Sequence, residues 1–338
     1  MIDLYSDTQS RPTRAMREAV AAAEVGDEQS RTDPTTIRLE EKVAALLGKE
    51  ASVFLPTGTM CNLVGVALHT RPGDVVVVDS MGHLLRSETG GAAVVSNVLT
   101  DPVDGDRGHF TAAQVHDRLD RTNRYRPPTS LICLEQTHNF AGGTVWPLER
   151  WDGVCDLAAE RAIAVHVDGA RLLNAVVASG VDAKRWSERA DTVWIDFSKG
   201  LGAPMGACLA GSEETIDMAW LWKHRLGGAM RQSGLMAAAA LHALDQHVDR
   251  LVDDHARASR LAAALSGLGA EVVDPDTNMV FFDPGPCGVG GTEVVEGLAE
   301  RGVRVSLIGN MVRAVTHLDV DDTDIDAAIV AFGEVLSG

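Results

Sequence analysis

A chain of 338 residues, 45% hydrophobic and 23% charged, is long enough to bury a large core and to hold one large domain beside a smaller one. Its formal net charge of −18 argues against nucleic-acid or anionic-membrane partners, both of which need a basic face. No apolar run approaches the roughly 18 residues that span a bilayer. The start M-I-D-L-Y-S-D-T has no basic or apolar signal region, so a cytoplasmic protein is expected.

In chain order, Arg11-Pro12 reads as a turn and T-R-A-M-R-E-A-V-A-A-A as an amphipathic helix. A polar loop from Gly26 to Thr35 leads into I-R-L-E-E-K-V-A-A-L-L-G, a helix closed by Gly48. The strand A-S-V-F-L-P passes through Thr57-Gly58-Thr59 into the helix M-C-N-L-V-G-V-A-L. Such a strand, tight turn and helix start can bind an anion through free backbone N–H groups. The alternation of strand and helix continues with D-V-V-V-V-D, then the segment around Met81 to Gly91, then A-A-V-V-S-N-V. Thr100 to Thr129 is polar, with a helix at A-A-Q-V-H-D-R-L and a loop rich in Arg, Asn and Pro.

The strand S-L-I-C-L-E ends at Gln136-Thr137-His138-Asn139, and W-D-G-V-C-D-L-A-A-E-R-A is a crossover helix. Two buried strands follow: A-I-A-V-H-V delivers Asp168 and Arg171, and V-W-I-D-F delivers Ser198 and Lys199. Beyond a glycine-rich strand and turn, a helical region runs from about Glu213 to His247, interrupted at Gly227-Gly228. The pattern then changes to a helix followed by strands near V-V-D-P-D-T-N-M-V-F-F, V-R-V-S and M-V-R-A-V-T. Strands separated by helices predict an α/β fold with a mostly parallel sheet covered on both faces. The predicted division is a large domain with its N-terminal arm over residues 1–247 and a smaller C-terminal α/β domain over 248–338.

Cys61, Cys133, Cys155, Cys208 and Cys287 are odd in number and widely spaced, as expected of reduced, buried thiols, and no metal site is predicted. Lysine occurs only at Lys42, Lys49, Lys184, Lys199 and Lys223, so a mechanism that needs one has few candidates. Strand C-termini of an open α/β sheet form a ligand crevice, where Asp168, Arg171 and Lys199 would converge. A lysine at one strand end, an acid on the neighbouring strand and an anion cradle at Gly58-Thr59 suit a Schiff base to pyridoxal 5'-phosphate.

The segments S-D-T-Q-S-R-P-T-R-A-M-R-E-A, D-P-T-T-I-R-L-E, L-P-T-G-T-M, H-V-D-G-A-R-L-L-N-A, S-K-G-L-G-A-P-M-G and M-R-Q-S-G resemble the low-specificity L-threonine aldolases, a family of fold-type I pyridoxal-phosphate enzymes. The resemblance covers nearly the whole chain. It implies retro-aldol cleavage of an L-β-hydroxy-α-amino acid to glycine and an aldehyde, by a homo-oligomer, a dimer or dimer of dimers, with shared active sites. Lys199 would hold the cofactor, Asp168 would pair with its pyridinium nitrogen, and His83 would stack on its ring. Gly58, Thr59, Ser198 and Arg171 would contribute to cofactor binding, and Arg231 would reach a phosphate across a subunit interface. His138 would stand near the substrate hydroxyl as proton acceptor, alone or through a water. Ser6, Arg171 and Arg313 would receive the substrate carboxylate.

The chain departs from the family where it reads V-G-D-E-Q-S-R-T-D-P-T. Ser30 replaces an aromatic residue of the substrate pocket, and Arg31 and Thr32 replace a glycine and an acid. His224 stands where the family commonly carries lysine. These changes predict a shifted preference, toward a bulkier or acidic β-substituent. Pyridoxal phosphate commits a site only to carbanion chemistry at Cα, so a transaminase, racemase or β-eliminating lyase is the alternative reaction. A non-catalytic homologue is a further alternative, opposed by the presence of both Lys199 and Asp168.

Overall fold

The computed structural model describes residues 1–119 and 125–337; part of the predicted loop rich in Arg, Asn and Pro lies outside the described residues. The central element is a seven-stranded sheet in the order Ala51–Leu55, Ala207–Gly211, Thr192–Asp196, Ala164–Gly169, Thr129–Glu135, Val75–Asp79, Leu99–Val103. All neighbours are parallel except Ala207–Gly211, which runs antiparallel to both strands beside it. Thr192–Asp196 is buried throughout, the unbroken apolar pattern of a strand covered on both faces.

Local chemistry explains most element ends. Thr57 caps the helix Gly58–His69 by accepting from Met60 N–H, and Asp33 caps Pro34–Leu47 by accepting from Thr36 N–H. That second helix ends at Gly48 with a φ of 65°, a left-handed position that favours glycine. One prediction needs correction. The run A-A-V-V-S-N-V is mostly the helix Gly91–Ser96, and the edge strand is Leu99–Val103, at the start of the stretch read as polar. An edge strand exposes one side to water and tolerates Pro102, so its sequence carries little apolar signal.

The C-terminal segment builds a second, antiparallel sheet in the order Ser306–Ile308, Met311–Val315, Met279–Asp283, Glu271–Val273. Its own core includes Phe282, Phe332, Leu261 and Val312, and also Leu4 from the opposite end of the chain. Ile2–Asp3 pairs in parallel with Val303–Arg304. The arm then crosses to the large sheet, where Ser10 Oγ donates to the Lys199 carbonyl at 2.7 Å. The N-terminal arm therefore packs with both units instead of with the large one alone. No helix among the described residues is long and apolar enough to cross a membrane.

Candidate active site

Asp168 and Lys199 arrive from adjacent parallel strands, with Asp168 in register with Trp194. Both face the crevice at the strand C-termini. Asp168 is buried and accepts from Asn62 Nδ2 at 2.8 Å and from Ala170 N–H at 3.0 Å. The orientation of Asn62 follows from chemistry. Trp194 Nε1 can only donate, and it lies 2.7 Å from Asn62 Oδ1, which leaves the amide nitrogen to face Asp168 and Glu88. His166 Nε2 lies 3.1 Å from the same Oδ1, and Thr192 Oγ1 lies 2.8 Å from its Nδ1. Burial, with His69 nearby, lowers His166 to about 3, so it serves as a neutral bracket behind Asn62.

His83 is half-buried, and its Nδ1 lies 3.0 Å from Glu88 Oε1 while its backbone N–H donates to Glu135 Oε2 at 2.7 Å. Burial pulls its pKa down, but the Glu88 hydrogen bond and the charges of Asp168 and Glu135 carry it above its ordinary value. Glu88 itself is raised by burial and by Asp168. Trp146 Nε1 donates to the Glu135 carbonyl at 3.0 Å and so fixes the end of that strand.

Lys199 Nζ lies 3.6 Å from Asp196 Oδ2 and 5.7 Å from the centre of the Trp194 ring. Asp196 Oδ1 accepts from Ser198 N–H at 2.6 Å and from Ser198 Oγ at 2.7 Å. Beside them begins the helix Gly58–His69. Its first amides, those of Gly58 and Thr59, have no intrahelical acceptor, and none of the described residues accepts from them. A Cβ on Gly58 would stand 2.4 Å from the Trp194 ring and 3.1 Å from Asp196 Oδ2, so only glycine allows this close approach.

Two buried arginines, Arg171 and Arg313, have different partners. Arg171 gives its fork to Asp7, with Nε and Nη2 at 2.7 and 2.6 Å from the two carboxylate oxygens. Burial would raise Asp7, but Arg171, with help from Lys199 and Asn278, holds it far below the usual carboxylate range. Arg313 donates to Ser306 Oγ, Asn139 Oδ1 and the Tyr5 carbonyl at 3.0, 3.4 and 3.2 Å. No carboxylate among the described residues lies within ion-pair distance of Arg313, though only 8% of the residue is exposed. Burial and the neighbouring Arg171 lower its pKa, as expected of a cation that lacks a counter-charge.

Several expectations change here. The Arg171 fork is closed by Asp7, whereas Arg313 has no carboxylate within ion-pair distance among the described residues. His138 is completely buried. Ala141 N–H fills its Nδ1 at 3.2 Å and Asp79 faces its Nε2 at 3.1 Å, so neither nitrogen is open to a substrate hydroxyl. Gly108, with a φ of 79°, closes over that ring, because any Cβ there would lie 2.4 Å from it. Ser6 is buried, and its Oγ accepts from Thr8 N–H at 3.2 Å.

Ser30 and Arg231 are not gathered with Lys199. Ser30 is exposed and donates to Asp27 at 2.9 Å, and Arg231 lies 3.7 Å from the same carboxylate. Arg31, the added cation, sits 3.6 Å from Glu40 and over the Trp220 ring at 5.0 Å. Asn62, Glu88, Asp7 and Asn139 escaped the sequence reading. Asn62 carried a signal, a polar residue on an otherwise apolar helix. Asp7 lies inside the S-D-T segment, but its partner is 164 residues away.

The arrangement fits pyridoxal phosphate: an acid and an amine on neighbouring strands, two free amides at a helix start, and an imidazole beside the acid. Comparisons agree with the geometry. The beta-eliminating lyase family profile matches residues 3–284. The low specificity L-threonine aldolase of Escherichia coli (strain K12) is 41% identical over 321 residues, covering 95% of this chain and 95% of that protein. The low-specificity L-threonine aldolase 1 of Arabidopsis thaliana is 36% identical over 346 residues, covering 99% and 96%. A solved threonine aldolase from Leishmania major superposes with a TM-score of 0.84 at 18% identity, covering 99% of this chain and all of that one, which supports the fold.

Proposed function

The chain belongs to the beta-eliminating lyase family and, within it, to the low-specificity L-threonine aldolases, and from that premise we propose how its own residues carry out pyridoxal-phosphate-dependent cleavage of an L-β-hydroxy-α-amino acid to glycine and an aldehyde. The observation that carries the assignment of roles is the buried Arg313, which has no carboxylate within ion-pair distance among the described residues and shares Asn139 with Arg171, whose partner Asp7 also feels the charge of Lys199.

When bound, the cofactor supplies an electron sink for the carbanion left at Cα. Lys199 Nζ would hold its aldehyde carbon, Asp168 would face the pyridine nitrogen, and the Gly58 and Thr59 amides would hold the phosphate. Arg313 takes the substrate carboxylate, and charge-assisted hydrogen bonds fix its orientation. Asn139 Oδ1 lies 3.4 Å from both guanidinium groups and keeps them side by side. Asp7 cancels the charge of Arg171, so a single net positive charge meets a single carboxylate. With Nδ1 turned to Glu88, His83 Nε2 has no partner among the described residues, so it receives the β-hydroxyl proton. Its raised pKa means that the neutral, accepting form gains population at a pH above its ordinary range.

The small, exposed Ser30 supports a preference for bulkier β-substituents. Arg31 does not support an acidic one, because Glu40 already answers its charge. The exposed apolar residues Met218, Leu221 and Leu235 lie on helices flanking the Arg231 segment and suit a face for a second copy, across which Ser30 and Arg231 would reach a neighbouring site. We read the protein as a cytoplasmic homo-oligomer, dimer or dimer of dimers, which light scattering after size exclusion measures.

The deciding experiment is a visible spectrum before and after borohydride on wild type and Lys199→Ala, with aldehyde release from L-threonine, L-allo-threonine and larger β-hydroxy amino acids. The expected result is a reducible absorbance band that requires Lys199, together with aldehyde and glycine. A protein that stays colourless after cofactor addition would end this reading, and ammonia release without aldehyde would assign it to β-elimination.

A further inference from the structure

Resting on the pyridoxal-phosphate reading, we propose that Asn62 is a positioning residue that keeps Asp168 and Glu88 ionised side by side, and so joins the acid that faces the cofactor ring to the base His83. Its amide nitrogen donates to both carboxylates, to Asp168 Oδ2 at 2.8 Å and to Glu88 Oε1 at 2.6 Å.

Both carboxylates are buried, and oxygens of the two lie within 4.8 Å of each other. Neither has an arginine or lysine within ion-pair distance among the described residues. Besides Asn62, Asp168 has the Ala170 N–H, and Glu88 has His83, while Glu88 Oε2 is buried with no hydrogen-bond partner among the described residues. Two anions this close make each other costlier to ionise. Burial and Asp168 raise the pKa of Glu88, and the hydrogen bonds from His83 and Asn62 oppose that rise. The ionised Glu88 is what holds the Nδ1 proton of His83 and leaves Nε2 open to the β-hydroxyl.

The amide is held so that it cannot turn over. Asn62 Oδ1 accepts from Trp194 Nε1 at 2.7 Å and faces His166 Nε2 at 3.1 Å. His166 is neutral, and its single proton belongs on Nε2, because Asn62 Oδ1 can only accept whereas Thr192 Oγ1 can donate to Nδ1. A reversed amide would set its oxygen against two carboxylates and its N–H groups against two donors. Gly65, about one turn along the same helix, makes room for this bracket, since a Cβ there would lie 2.2 Å from His166 Cε1. The other charged groups that act on His83 are Asp168, Glu135 and Lys199, and the buried thiols of Cys61 and Cys133 beside the acids are pushed up by burial and stay neutral.

The test uses the full chain loaded with pyridoxal phosphate and compares Asn62→Leu, similar in size and without a donor, and Asn62→Ser, which can donate once, each alone and combined with Glu88→Gln. Without the amide, Glu88 takes up a proton and His83 loses its anion, so the acid limb of kcat/KM for aldehyde release should move to lower pH, further for Leu than for Ser. In Asn62→Leu, kcat should also fall about tenfold or more, the loss of a charged hydrogen bond to Asp168. In the Glu88→Gln background the same substitutions should move the limb no further, because no carboxylate remains there for the amide to hold. A limb that stays in place in both Asn62 variants, even with a lower kcat or an earlier urea midpoint, would leave Asn62 a purely structural role and overturn the inference. Equal shifts with and without Glu88, or a limb that Glu88→Gln itself does not move, would overturn it too. Absence of a reducible band in wild type, with Lys199→Ala indistinguishable from it, would instead overturn the pyridoxal-phosphate reading itself, and this inference with it.

Discussion

Two clusters of charge lie in this molecule, and they are matched differently. In one, the buried Lys223 pairs with Glu28, while the more exposed Arg31 and Arg231 lie 3.6 Å from Glu40 and 3.7 Å from Asp27. At the strand C-termini, Arg171 is answered by Asp7, but among the described residues Arg313 has no carboxylate within ion-pair distance and the Gly58 and Thr59 amides have no acceptor. Leaving a buried charge unmatched costs stability, and proteins bear that cost where a ligand completes the site. Unmatched charge therefore marks the crevice, and matched charge marks the first cluster as a framework holding the Gly26–Thr32 loop.

Substitutions can break or sharpen this contrast. Lys199→Ala should abolish aldehyde release, by at least ~10³-fold in kcat, and remove the reducible band, because the chain offers no second amine in the crevice. The two arginines should separate stability from binding. Arg171→Met leaves Asp7 buried without its cation and should cost ~3–5 kcal/mol of stability in urea unfolding. Arg313→Met should leave stability unchanged or improved and raise KM by about 10- to 100-fold, the loss of charged hydrogen bonds worth ~1.5–3 kcal/mol. If both variants unfold at the wild-type midpoint, the matched and unmatched assignments fail.

A smaller effect belongs to Glu40, which burial raises to about 7 from an ordinary 4.5 despite Arg31. The unfolded chain ionises Glu40 first, so its contribution to stability is complete below about 4.5 and is lost as pH rises through about 7. Glu40→Gln should lack this loss and gain ~1–3 kcal/mol over wild type between acid and neutral pH, measured by urea unfolding. The smallest change is kinetic. Glu88→Gln removes the carboxylate that raises His83, so the acid limb of the kcat/KM profile should move to lower pH. An unmoved limb would take His83 out of the proton-accepting role.

Much of this was legible in the residue order. Apolar runs alternating with helical periodicity specify the parallel sheet, and the short β–turn–α segment at Thr57-Gly58-Thr59 specifies the cradle, because both depend on contacts close in sequence. Asp168 and Lys199 were legible for the same reason: each ends an apolar strand, and a parallel sheet brings strand ends to one edge. Leu99–Val103 was missed because an edge strand needs no apolar alternation.

What only the tertiary structure decided is which charge meets which. The family resemblance implies Arg171 and Arg313 on equal terms as carboxylate ligands, and His138 as a catalytic histidine. The folded chain gives Asp7 to Arg171 through an arm that begins in the core of the C-terminal unit, and it seals His138 behind Gly108 and Asp79. Pairings of this kind depend on side chains brought together across 164 residues, and no local pattern encodes them.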